Sequence, residues 1–124
     1  MLKPLKKWLV EALFSVSTNY NHYNAWHFFF EEGGRVIAYL RAYYEDGDKL
    51  KIGRVLTLTH GKGTGTELMR KTLEFIKTNI PNSEIFVNAQ KQAENFYAFL
   101  DFIPDSDEFW EEGVVHIRMK LKGE

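Results

Sequence analysis

Three glycines at alternate positions in His60-Gly61-Lys62-Gly63-Thr64-Gly65 mark the place where chemistry is most legible in this chain. Without a Cβ, such a loop turns tightly and lets the backbone approach a ligand. The loop opens a helical pattern, whose first amide N–H groups have no internal partner and whose dipole favours anions. Together these features describe a phosphate site. Charge agrees, since residues 49–77 hold seven Lys or Arg against two Glu. A flexible connection followed by a solvated basic helix face is the alternative, and spacing alone leaves both open. Neither common nucleotide loop fits. A Walker loop needs Gly-Lys followed by Ser or Thr, which this chain lacks. A dinucleotide fingerprint needs Gly-x-Gly-x-x-Gly in an opening βαβ unit, whereas here Gly-x-Gly-x-Gly follows a three-strand pattern.

Other reactive residue types narrow the chemistry further. The chain contains no Cys, which excludes a disulfide framework, a thiolate zinc site and a cysteine nucleophile. Four His, at 22, 27, 60 and 116, show no ligand spacing, so no metal site is expected. Residues 101–112 carry six acids (Asp101, Asp105, Asp107, Glu108, Glu111 and Glu112) and no basic residue. A solvated acidic loop is the plain reading of that run.

The elements that must position these residues follow from periodicity. Leu5, Trp8, Leu9, Ala12 and Leu13 are spaced as one face of a helix over residues 5–14. Ser15 to Asn24 reads as a loop. Trp26–Glu31 and Arg35–Tyr44 read as a hairpin about Gly33-Gly34, and Asp46-Gly47-Asp48 turns the chain into a third strand from Leu50 to Thr59. Behind the glycine loop, Leu68, Met69, Leu73, Ile76 and Ile80 mark a helix face that ends between Asn79 and Pro81. A strand at Glu84–Asn88 follows. Then come a helix carrying Ala93, Phe96, Tyr97 and Leu100 and strand-like stretches near Phe102–Phe109 and Val114–Leu121. A parallel crossover within a mainly antiparallel sheet is an α+β arrangement.

At 124 residues, 44% hydrophobic and 15% aromatic, the chain is expected to form one domain with a packed core. Its net charge of −1 offers no electrostatic ground for nucleic acid or a membrane surface as partner. No run reaches the roughly 18 apolar residues of a membrane span. The start, with Glu11 interrupting its apolar stretch and no small-residue cleavage site, does not read as a signal peptide. The expectation is a cytoplasmic protein.

Strand, Arg/Gln-x-x-Gly-x-Gly/Ala loop and helix together resemble the acetyl-CoA loop of the GNAT acetyltransferase superfamily. The family's next helix ends in a Tyr followed five residues later by Phe, as Tyr97 and Phe102 stand here. Further motifs occur in the order seen in ElaA-like members: Ile52-Gly53-Arg54-Val55, Ala89-Gln90, Asn95-Phe96-Tyr97, Phe102-Ile103-Pro104 and Glu112-Gly113-Val114-Val115-His116-Ile117 before Met119. The resemblance covers about residues 26–121. It implies a GNAT-like mixed, mainly antiparallel twisted sheet flanked by helices, with acetyl-CoA as cosubstrate. His60, Gly61, Lys62, Gly63, Thr64, Gly65 and Thr66 would hold the pyrophosphate. The main chain at Leu56, Thr57 and Leu58 would pair with the pantetheine arm, and Asn95 would lie beside it. Tyr97 stands where the superfamily's general acid often stands, its alternative being a core aromatic.

His116 and His27 match His positions of ElaA-like proteins and are candidates for the base and the acceptor wall. For each, a half-buried His satisfied by a neighbouring carbonyl is the preferred reading. Asp107 and Glu108, near the acceptor mouth in this fold, would attract a cationic amine. Several residues depart from the family pattern. His60 replaces the usual Arg or Gln, Asp101 stands at a usual Gly, and the segment between Arg54 and the loop is two residues short, which bears on the bulge that opens the sheet. Only about 25 residues precede the Trp26 strand, a shortened N-terminal region. The expected function is direct transfer of an acetyl group from acetyl-CoA to an amine of a small molecule or peptide. The alternative is a degenerate module that binds acyl-CoA without turnover. A homodimer is compatible with the chain.

Overall fold

Gly33 and Gly34 both take positive φ, 60° and 79°, in the two-residue turn that joins β2 (Ala25–Glu32) to β3 (Arg35–Tyr44). That conformation matches the twist of the flanking strands and is nearly free of strain only for Gly or Asn. The hairpin lies in an eight-stranded mixed sheet. In the computed structural model, residues 7–13, 25–58 and 63–123 are described. The remaining strands are β1 (Lys7–Leu13), β4 (Lys49–Thr57), β5 (Glu84–Gln90), β6 (Phe102–Pro104), β7 (Phe109–Glu111) and β8 (Val114–Leu121). They run in the order β1-β2-β3-β4-β5-β8-β6, with β7 also paired to β8. Helix α1 (Thr64–Asn79) carries the chain from β4 to its parallel neighbour β5. A 3-10 turn at Lys91–Ala93 leads into the short helix α2 (Glu94–Phe99). The expected α+β sheet with one parallel crossover is therefore what forms.

One sequence expectation is corrected. Lys7–Leu13, whose periodicity predicts a helix, is a strand antiparallel to β2, with Trp8 opposite Phe30 and Glu11 opposite His27. An isolated helix of this length is marginal in water. The outer edge of β2 offers a full row of backbone partners instead, so tertiary pairing overrides the local pattern. The expected loop at Ser15 to Asn24 lies outside the described residues, as do Thr59, His60, Gly61 and Lys62.

The core lies between one sheet face and α1. Phe28, Phe30, Leu40, Leu50, Ile52 and Met119 are buried from the sheet side; Leu68, Met69 and Ile76 are buried from α1. Phe75 packs edge-on against Phe28 at 5.6 Å between ring centroids. Alternation along the strands sends the other residues to the second face. There Arg41 of β3 is in register with Gly53 of β4, and Asn88 of β5 with Arg118 of β8.

Candidate functional site

The sheet opens at one point. Strands β4 and β5 pair only from Lys49 with Glu84 to Ile52 with Val87. Beyond Ile52, β4 stays on β3 as far as Thr57, while β5 stays on β8 as far as Gln90 with His116. A β-bulge drives the separation. Between the pairs Tyr39–Leu56 and Arg41–Gly53, β3 contributes one residue and β4 contributes two, Arg54 and Val55. Such an insertion bends the strand and increases its twist. Arg54 takes φ of 56° there. Although the segment between Arg54 and the glycine loop is short, the bulge is present.

The far end of the opened strand points to the start of α1. Leu56 and Leu58 are 59% and 54% exposed, an unusual placement for leucines in or beside a strand. Gly63 sits at the N-cap with φ of 73°, and no side chain among the described residues caps the helix. Thr64 is buried, and Thr66 is partly buried. A Cβ on Gly65 would lie 3.4 Å from Thr57 Cγ2 and 3.7 Å from Phe96 Cζ, ordinary contact distances, so there is room for a methyl group but none for a larger side chain in that direction. The first-turn amides thus stay free of side-chain caps at a tightly packed helix start.

Below the opening lies a cavity of about 550 Å3. Its two banks carry opposite charge. Arg41, Lys51 and Arg54 line the β3–β4 bank; Glu111 and Glu112 line the bank made by β5, β7 and β8, together with Asn88, Tyr97 and His116. Tyr97 is 8% exposed and stands between Phe96 and Phe102, with centroids at 5.0 and 5.7 Å. It is both a core aromatic and a cavity residue. Burial pushes its phenol up to about 12. His116 is 7% exposed, stacks on Phe109, and holds Nδ1 at 2.8 Å from the Val114 carbonyl. A carbonyl only accepts, so Nδ1 is the donor in this bond, which leaves Nε2 as the ring nitrogen available to other partners. The carbonyl-satisfied histidine expected from the sequence is present, and it faces this cavity.

Other expected site residues lie elsewhere. His27 bonds the Tyr39 hydroxyl at 2.6 Å and stacks on that ring, outside the cavity lining. Burial raises the Tyr39 pKa, against the opposing pull of Arg41 and Arg54. Asn95 is exposed on α2. Asp107 and Glu108 are exposed in the connection from β6 to β7, and Glu108 pairs with Lys91 at 3.1 Å. Of the late acidic run, Glu111 and Glu112 are the members that reach the cavity. Arg41, Lys51 and Asn88 carry no motif that marks them in the sequence. Their one signal is alternation, which puts Arg41 on the strand face opposite Leu40 and Ala42.

Residues 7–123 match the acetyltransferase (GNAT) domain. The chain belongs to the GNAT acetyltransferase family. Within GNAT it is similar to Escherichia coli K12 ElaA, 35% identical over 88 residues that make up 68% of this chain and 58% of ElaA. A UPF0039 protein of Schizosaccharomyces pombe is 33% identical over 92 residues, 72% of this chain and 61% of that protein. The chain therefore spans less than two thirds of the length of these relatives. The crystal structure of E. coli ElaA superposes with a TM-score of 0.71 at 30% identity, covering 80% of this chain and 69% of that one. A GNAT acetyltransferase from Elizabethkingia anophelis with acetyl-CoA bound shares the fold, with a TM-score of 0.64 at 12% identity over 81% of this chain and 76% of that one. The resemblance to ElaA-like proteins is borne out.

Proposed function

We propose that the protein is an N-acetyltransferase that moves an acetyl group from acetyl-CoA directly to an amine. The observation that carries this reading is the split between β4 and β5, which runs from the uncapped start of α1 into a cavity lined by Tyr97 and His116. The fold neighbour from E. anophelis has acetyl-CoA bound, and the residues here suit the same ligand. Gly63, Thr64, Gly65 and Thr66 offer backbone amides to the pyrophosphate. The unpaired edge of β4 at Leu56–Leu58 offers main-chain groups to the amides of pantetheine, with exposed leucine side chains beside them.

In the transfer, the amine nitrogen attacks the thioester carbonyl, a C–N bond forms and the C–S bond breaks. His116 Nε2 receives the proton that the amine loses, directly or through one water. Sulfur leaves as a thiolate. A thiol of ordinary pKa near 8.5 lies roughly 3.5 units below Tyr97, so complete proton transfer from the phenol is uphill by about 5 kcal/mol. Tyr97 therefore acts by hydrogen-bonding the sulfur as charge develops, and holding both reactants in the cavity supplies much of the rate.

Calorimetry with CoA and acetyl-CoA, followed by thiol release against an amine panel, tests the proposal. Binding with turnover is expected. Failure to bind either ligand overturns it, and binding without turnover identifies an acyl-CoA-binding module instead.

A further inference from the structure

The charge division across the cavity deepens this reading. Arg41 and Arg54 have no ion pair among the described residues, and Arg41 Nε is buried without a hydrogen-bond partner. Lys51, by contrast, is engaged by Glu45 at 3.7 Å. A buried guanidinium nitrogen left unpaired is destabilising unless a ligand completes it. Opposite stand Glu111, which accepts from Asn88 Nδ2 at 3.3 Å, and Glu112, with no ion pair among the described residues. Arg54 and Glu112 both hold left-handed backbone, at φ of 56° and 52°. That conformation is disfavoured for residues with a Cβ and clusters at functional sites. Glu112 and Gly113 form the two-residue turn between β7 and β8, which fixes the acidic bank on a rigid hairpin.

We propose that the acceptor is a zwitterion, an amine that also carries a carboxylate, with the carboxylate on Arg41 and Arg54 and the ammonium between Glu111 and Glu112. This rests on the acetyltransferase reading above. Guanidinium forks match a carboxylate in two-point geometry. The acidic bank gathers the cationic amine beside His116; the ammonium gives one proton to solvent before it attacks, and His116 takes the second as the C–N bond forms.

The test compares free amino acids with their carboxamides as acceptors, by thiol release from acetyl-CoA, with CoA affinity measured separately by calorimetry. Amino acids should be preferred by about tenfold or more in kcat/KM, the worth of one charge-assisted pair. Arg41→Gln and Arg54→Gly should each collapse that preference, the latter without disturbing the left-handed backbone. Melting temperatures report whether each variant is folded, and Arg54→Gly, at an exposed position, stands in if Arg41→Gln does not fold. Equal or better turnover of the carboxamides, a preference that survives Arg54→Gly, or CoA binding with no turnover of any amino acid overturns the proposal. Loss of CoA binding in the unaltered protein would instead defeat the acetyltransferase reading.

Discussion

Tyr97 shows how one residue serves both core and site. Its ring fills the space between Phe96 and Phe102, and the same residue lines the cavity. Tyr97→Phe keeps the packing and removes the hydroxyl proposed to hydrogen-bond the departing sulfur. It should lower kcat by about 10- to 100-fold with little change in acetyl-CoA KM, measured by thiol release. The same substitution has a signature in stability. With the folded phenol at about 12 and an unfolded value near 10, the unfolded chain loses its proton first as pH rises. The stabilising difference is complete below pH 10 and disappears between roughly pH 10 and 12, a loss of about 3 kcal/mol. Denaturant titrations across that window should show the loss in the native protein and not in Tyr97→Phe. Asp101 holds φ of 73° just past α2 and donates its N–H to Ala98 O at 3.0 Å. The helix end keeps the left-handed geometry that a Gly would supply. Asp101→Val should cost about 1–2 kcal/mol by urea unfolding, and Asp101→Gly should cost nothing.

At the scale of elements, α1 does two jobs that meet at its first turn. Its inner stripe of Thr64, Leu68, Thr72 and Ile76 is buried at four-residue spacing. Within that stripe, Thr72 Oγ1 is buried with no hydrogen-bond partner among the described residues. Thr72→Val keeps the shape and removes the orphaned hydroxyl, so it should stabilise the protein by about 1 kcal/mol in urea unfolding. The outer end of the helix depends on Gly65, where a larger side chain would press on Thr57 and Phe96. Gly65→Leu should abolish CoA binding in calorimetry, with circular dichroism reporting the fold. Strand β4 has a similar division. Its first half is a core strand through Leu50 and Ile52, and its second half, past the Arg54–Val55 bulge, turns one edge away from β5.

For the whole molecule, near-zero net charge conceals a deliberate separation. The net charge of −1 comes from the whole chain, while three cations on one bank and two carboxylates on the other polarise the cavity. One core cluster joins α1, α2 and strands from both halves of the sheet, so the described residues should unfold as a unit. Circular dichroism and tryptophan fluorescence should give coincident transitions. Acetyl-CoA at about 100 times its Kd should add about 2.7 kcal/mol, a shift of several degrees in Tm.

Much of this was legible before any coordinates. Arg35–Tyr44 and Val114–Leu121 form strands with the expected bounds, and the Leu68–Ile76 stripe is the buried helix face, because hydrophobic period reports local geometry directly. The ordered motifs from Ile52 to Met119 placed the family, since they are local strings tied to local turns. Lys7–Leu13 departs from its helical periodicity because a seven-residue segment has no preference strong enough to resist an open sheet edge. The cavity's charged banks were invisible for a related reason. Arg41, Arg54, Glu111 and Glu112 come from three strands and a turn, and what brings the two banks together is β5, which pairs with β4 on one side and with β8 on the other. Sequence by itself determined the glycine-opened helix, the strand alternation and the family. Tertiary structure decided which of six neighbouring acids face the site, because a side chain's surroundings depend on register between strands distant in the chain.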